Sequence, residues 1–205
     1  RALRRHVTST ISAALLTLLL AACGGAGEAE SYIDAGVELQ EQGLFEEAIA
    51  QFDEGIRLEP ELALAYNSRG SAYGHLGQYE RAIQDFDEAI RLEPQYAPAY
   101  GNRGNIYSAL DQYERALQDY DEVIRLDPQD ALAYHNRGNT YGSLGRYQRA
   151  IEDYDEAVRL EPQNALAYDG RGNAYLNLGQ YQQAGDNFNE AIRLEPQNAL
   201  AYNSR

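Results

Sequence analysis

Lysine, methionine and tryptophan are all missing from the 205 residues, and cysteine occurs once. Without lysine, every strong base is an arginine. Without methionine, residue 1 is not a translation start, and the sequence reads as a fragment or a processed product. The lone Cys23 has no second thiol to pair with, so a chain that is exported must account for it in another way. Charge of one sign is also short: the formal net charge is −15, and removing residues 1–22, with three arginines and no acid, takes −15 to −18. Such a surface repels a phosphate backbone, which argues against nucleic acid as a partner. His6 lies within residues 1–22, and neither His75 nor His135 has a cysteine or second histidine at metal-ligand spacing. The glycines never cluster into a phosphate cradle. These absences exclude a recognisable catalytic constellation, and no enzyme activity, metal or cofactor is expected.

What is present is periodic. Pro60, Pro94, Pro128, Pro162 and Pro196 stand at one constant interval, and Gly36, Gly70, Gly104, Gly138 and Gly172 repeat it. A fixed period of roughly 34 residues marks one supersecondary unit that is stable only when its neighbours stack on it. Within residues 131–162, Tyr134, Gly138 and Tyr141 recur at helical spacing, and Tyr147, Ala150, Ile151, Tyr154, Ala157 and Val158 do so again. Between the two runs, Leu144-Gly145 offers the left-handed residue that closes a helix. After Pro162, Asn164 is placed to cap the next one. Each copy therefore predicts two antiparallel helices. Pro98, outside the periodic series, falls in the first turn of a helix, where its missing N–H does no harm.

The pattern formed by Tyr134, Gly138, Tyr141, Leu144-Gly145, Tyr147, Ala150, Tyr154, Ala157 and Pro162 resembles the tetratricopeptide repeat family. The resemblance runs from about residue 29 to the end, with Asp111 in place of the turn glycine, Gly55 and Val123 in place of the second alanine, and Leu39 in place of a tyrosine. It implies an all-α solenoid, a right-handed superhelix of antiparallel helix pairs. Five full repeats are expected at about 29–62, 63–96, 97–130, 131–164 and 165–198, followed by the start of a sixth within a solenoid spanning 31–205.

Residues 1–22 differ in kind. Arg1, Arg4 and Arg5 precede an uncharged stretch rich in Leu and Ala, the pattern of a secretory signal and short for a spanning helix. Leu20-Ala21-Ala22-Cys23 resembles the lipobox of bacterial lipoproteins. By that resemblance Cys23 is lipidated, and the protein is exported and lipid-anchored to a bacterial membrane on its periplasmic or extracellular face. Gly24, which is not Asp, would permit outer-membrane delivery by resemblance to enterobacterial sorting. Residues 23–30 are expected to form a flexible tether.

Binding, if anywhere, belongs on the first helices. In tetratricopeptide domains one stripe of the first helix lines the concave surface, and the resemblance places Asn67, Ser71, Gly74 and His75 there, then Gly101, Asn105, Ser108 and Ala109. The later repeats supply His135, Asn139, Gly142 and Ser143, then Asp169, Asn173, Leu176 and Asn177. Asn105, Asn139 and Asn173 recur in register, with Asn102 and Asn136 nearby. An amide both donates and accepts, so such a row can pair with the main chain of an extended peptide. This resembles the asparagine ladder in the solenoid of a eukaryotic sugar transferase. The family's basic clamp for a C-terminal carboxylate is absent, because Asn67, Gly101, His135 and Asp169 occupy its lysine position. The row also reads as copied surface residues with no ligand.

Arg69, Arg103, Arg137 and Arg171 fall on the flank away from that stripe and are expected to reinforce the packing of repeats by pairing with acids. Asp53/Arg57, Asp87/Arg91, Asp121/Arg125 and Asp155/Arg159 are spaced for i, i+4 pairs on a solvated face. The expected function is a membrane-anchored interaction scaffold of the bacterial cell envelope that holds a peptide or partner helix in its groove. Two alternatives stand beside it: a regulatory repeat arm of a larger enzyme continuing past Arg205, and a structural protein whose copies self-associate.

Overall fold

In a computed structural model, residues 25–196 are described, and they contain ten α-helices and no strand. These helices are α1 (Gly25–Glu41), α2 (Phe45–Leu58), α3 (Ala63–His75), α4 (Tyr79–Leu92), α5 (Ala97–Ala109), α6 (Tyr113–Leu126), α7 (Ala131–Ser143), α8 (Tyr147–Leu160), α9 (Ala165–Asn177) and α10 (Tyr181–Leu194). They fall into two compact units that divide between Asn102 and Arg103, within α5. The all-α class expected from the sequence is the one observed among the described residues.

The turn inside each copy is set by one residue in the left-handed region: Gly43 (φ 76°), Gly77 (φ 70°), Asp111 (φ 56°), Gly145 (φ 69°) and Gly179 (φ 72°). The following N–H reaches back to the helix it has just left: Gln78 donates to the Tyr73 carbonyl at 2.9 Å and Arg146 to that of Tyr141 at 2.8 Å. This bond satisfies carbonyls that the helix end would otherwise orphan. Asp111 takes the glycine's place because a short polar side chain tolerates that backbone better than a bulky one. Between copies, Asn164 caps α9 as expected, its Oδ1 accepting from the Ala167 N–H at 3.2 Å, and Asp130 does the same for α7 at 3.0 Å. Pro98 is the second residue of α5.

In unit 1, Phe52 and Phe86 are buried between the helices of their own pairs; in unit 2, Tyr120 and Tyr154 hold the same position. Each ring lies on a glycine of the facing first helix. A Cβ built on Gly70 would stand 2.8 Å from Phe86 and one on Gly138 would stand 3.0 Å from Tyr154, so the periodic glycines are sites of close ring-to-backbone approach. Small Ala48, Ala82, Ala116 and Ala150, all at 0% exposure, let the paired helices come together. Gly55 stands where other copies carry a larger residue, and the Ile33 side chain fills its space.

Two expectations are corrected. Residues 25–30, expected within a flexible tether, are the first turns of α1, because Ala29 is fully buried and helix packing extends to it. The i, i+4 pairs do not form as expected at three sites. Arg57, Arg125 and Arg159 instead pair with Glu54, Glu122 and Glu156 at i, i+3, as Arg91 does with Glu88. Asp53, Asp121 and Asp155 are drawn to arginines of the next first helix. The signal-like segment 1–22 and Cys23 lie outside the described residues. No helix among the described residues is long and apolar enough to cross a membrane.

Candidate functional site

In unit 1, α1 and α3 border a groove of about 370 Å³ that brings Asn67, Ser71 and His75 together. Asn102 comes from the start of α5, and its Nδ2 donates to Asn67 Oδ1 at 3.0 Å; Gln40 Nε2 donates to Ser71 Oγ at 3.0 Å. Phe45 stacks flat on His75, ring centres 4.6 Å apart. Asn67 is buried, so it acts as wall, while Ser71 is half exposed. Val37, Gln40 and Phe45 escaped the sequence reading. They sit in the first copy, whose α1 and α2 begin their pattern least regularly, and only the exposed apolar Val37 could have signalled a rim.

Unit 2 carries the asparagine row, and each member is oriented by a different neighbour. Asn105 Oδ1 accepts from Tyr120 OH at 2.8 Å and from Asn136 Nδ2 at 3.2 Å, which leaves its amide N–H groups facing solvent. Asn139 Oδ1 accepts from Tyr154 OH at 2.6 Å, and its Nδ2 lies 2.9 Å from His135 Nε2. Asn173 has no such hydroxyl to accept from, because the tyrosine position of its copy holds Phe188, whose ring packs on Gly172. Its Nδ2 donates instead to the backbone carbonyl of Asp169 at 3.0 Å and to Asp169 Oδ2 at 3.1 Å, so the carbonyl oxygen is the end it presents. Asn177 donates to the backbone carbonyl of Asn173 at 2.8 Å, and Ser108 is half buried on the same helix as Asn105. The tyrosine hydroxyls that set this pattern were not part of the sequence reading. Their signal is the pairing of Tyr120 with Asn105 and of Tyr154 with Asn139 at one constant separation, at which Phe86 meets Ser71.

Burial governs the titrating groups here. It pushes the Tyr120 and Tyr154 hydroxyls well above the ordinary tyrosine value, so both remain protonated donors. It also lowers His135, whose Nδ1 is buried without a partner while its Nε2 faces Asn139. A neutral imidazole protonated at Nδ1 lets Nε2 accept from the Asn139 amide, and its Nδ1 proton has no acceptor among the described residues.

The arginine row lies apart from the asparagines and forms a bridging network. Arg69 grips Asp85 of its own copy through Nε at 2.8 Å and Nη2 at 2.7 Å, and reaches Asp53 of the preceding copy at 2.6 Å. Arg137 repeats this with Asp153 at 2.9 Å and 2.6 Å and with Asp121 at 2.6 Å. Arg103 holds Asp119 in the same fork. Arg171 meets Asn187 in place of the acid, at 2.7 Å. The hydrogen bonds that Arg69 donates to Asp85 raise its guanidinium above the ordinary value; burial pushes the Asp85 carboxyl up, with the guanidinium bonds opposing. The expected role in joining copies is the one observed. Among the described residues, no cluster of His, Cys, Asp and Glu could hold a metal ion.

Solved structures share the fold. MamA from Desulfovibrio magneticus RS-1 superimposes with a TM-score of 0.75 at 27% identity, over 82% of this chain and 96% of that one. Another crystal structure of MamA gives 0.72 at 26% identity, over 80% and 96%. YrrB, a TPR protein with an unusual peptide-binding site, shares the fold with a TM-score of 0.69 at 23% identity, over 85% and 90%. No curated protein matches by sequence. Models of the tetratricopeptide repeat match residues 63–96 and 131–164, 165–198, and 86–118, and a TPR repeat model matches 36–77 and 104–145. With those matches running from residue 36 to 198 and helix pairs returning at a fixed interval, the chain belongs to the tetratricopeptide repeat family.

Proposed function

We propose that this protein is a membrane-anchored interaction scaffold of a bacterial cell envelope, holding a peptide or partner helix on its first-helix face while lipid on Cys23 keeps it at the membrane. The observation that carries the binding half is the polar face itself: a groove bounded by Asn67 and Ser71 in unit 1, and oriented amides at Asn105, Asn139 and Asn173 in unit 2. Oriented amides serve main-chain recognition, because they pair with carbonyl and N–H groups whatever the side chains are. The fold supports protein or peptide binding in general, and the peptide-binding site of YrrB is in keeping with it.

The anchoring half rests on sequence: Arg1, Arg4 and Arg5, an apolar stretch, then Leu20-Ala21-Ala22-Cys23. Two or three acyl chains, at about 0.8 kcal/mol per buried CH₂, would hold the protein on a bilayer durably. Intact-mass analysis of the membrane fraction should find a mature N-terminus at acylated Cys23, and Cys23→Ser should move the protein to the soluble fraction. A different N-terminus removes the anchor. Crosslinking in the envelope should capture a partner that is lost when Asn105, Asn139 and Asn173 are replaced together by alanine, with helix content unchanged. Undiminished capture removes the site.

A further inference from the structure

The asparagines of unit 2 sit on successive first helices: α7 and α9 touch, and Asn136 of α7 bonds Asn105 of α5. Packed helices lie about 8–10 Å apart. A β-strand rises about 3.3 Å per residue and alternates faces, so its like-facing groups fall about 6.6 or 13 Å apart and miss that spacing. A polyproline II helix has three residues per turn and rises about 3.1 Å per residue, so it returns the same face about every 9 Å. Its carbonyls have no internal partner, and a proline has no N–H to donate, so such a segment offers acceptors only.

The amides match that in polarity. Asn105 has its oxygen taken twice and presents N–H groups; Asn139 has its oxygen on Tyr154 and one N–H beyond the His135 contact. At the far end, Asn173 has turned its N–H groups onto Asp169 and presents oxygen beside a carboxylate. We infer that unit 2 binds a proline-rich segment in polyproline II conformation, with carbonyls one turn apart on Asn105 and Asn139 and a cationic side chain against Asn173 and Asp169. This rests on the peptide-binding reading above and adds the conformation and charge of the peptide.

The test is calorimetric titration of the full chain with three capped peptides: nine prolines preceded by two arginines, nine prolines followed by two arginines, and a Gly-Ser peptide of the same length and charge. One proline peptide should bind at least tenfold more tightly than the Gly-Ser peptide, and the two proline peptides should differ. Asn105→Ala and Asn139→Ala should each weaken the better one about fivefold, in line with loss of one hydrogen bond. Asp169→Asn should erase the difference between the two proline peptides. Unchanged thermal midpoints of these variants separate binding from folding. Equal binding of proline and Gly-Ser peptides, no binding of either proline peptide at millimolar concentration, or indifference to Asn139→Ala overturns the inference. If it is overturned while the triple alanine variant still loses its crosslinked partner, the peptide-binding reading stands; if the partner is retained as well, both fall.

Discussion

Asn187 occupies the place that Asp85, Asp119 and Asp153 hold in earlier copies, and Arg171 still donates to it. The chain thus contains its own comparison between a charged and a neutral partner for the same arginine. Arg137→Ala should be severe, because it strands Asp153 at 5% exposure without its fork. A loss of about 3 kcal/mol is expected from urea unfolding, the scale of breaking a buried pair from one side. Asp153→Asn should lose less than half of that, since it reproduces the Asn187 arrangement. The arginine flank was legible from helical angle, but the identity of its acids was not: Asp85 and Asp153 belong to the other helix of the pair from Arg69 and Arg137. Only folding makes them neighbours, and the same rearrangement frees Glu54, Glu122 and Glu156 for the exposed arginines.

His135 adds a pH term at the same scale. Burial depresses its folded value below the ordinary 6.5, so between the two values the unfolded chain binds more protons. Stability from this group is complete above about pH 6.5 and declines as pH falls through the folded value. The thermal midpoint should therefore fall more between pH 7.5 and 5.5 in the native chain than in His135→Gln; equal falls would remove the burial effect.

At the scale of the helix, glycine has opposite meanings in different places. Gly70 faces Phe86 and the Ala82 carbonyl, so Gly70→Ala should destabilise by about 1–3 kcal/mol despite better helix propensity. Gly142 and Gly185 also lie within helices, but an added Cβ there meets nothing within 4 Å. Replacing either by alanine should raise stability by up to about 1 kcal/mol, read as an upward shift in denaturation midpoint. The repeat register distinguishes these classes in the sequence, since Gly70 belongs to the periodic series and Gly142 and Gly185 do not. The start of α1 was less legible. Glycine-rich sequence at residues 24–27 suggests a tether on composition alone. The packing of Ala29 carries the helix to Gly25.

At the scale of the whole molecule, repeat stacking makes stability a sum over copies and their nearest-neighbour contacts. Within unit 2, α9 covers the cluster of Ala150, Ile151 and Tyr154 through Ala174 and Tyr175. Removing residues 165–205 should lower the unfolding midpoint while helix content per remaining residue stays the same by circular dichroism. Loss of all helix signal would mean that the copies fold only as one block.

Period, fold class, turn positions and the cap at Asn164 were determined by the sequence alone, because each follows from contacts between near neighbours in the chain and is copied from one repeat to the next. The tertiary structure decided which groups those helices offer. The same residue type presents N–H at 105 and oxygen at 173, because at 105 its oxygen accepts from a tyrosine hydroxyl of the second helix of the pair and at 173 its amide donates to Asp169. An amide is symmetric in size and ambiguous in polarity, so its direction is set by whatever folding places beside it.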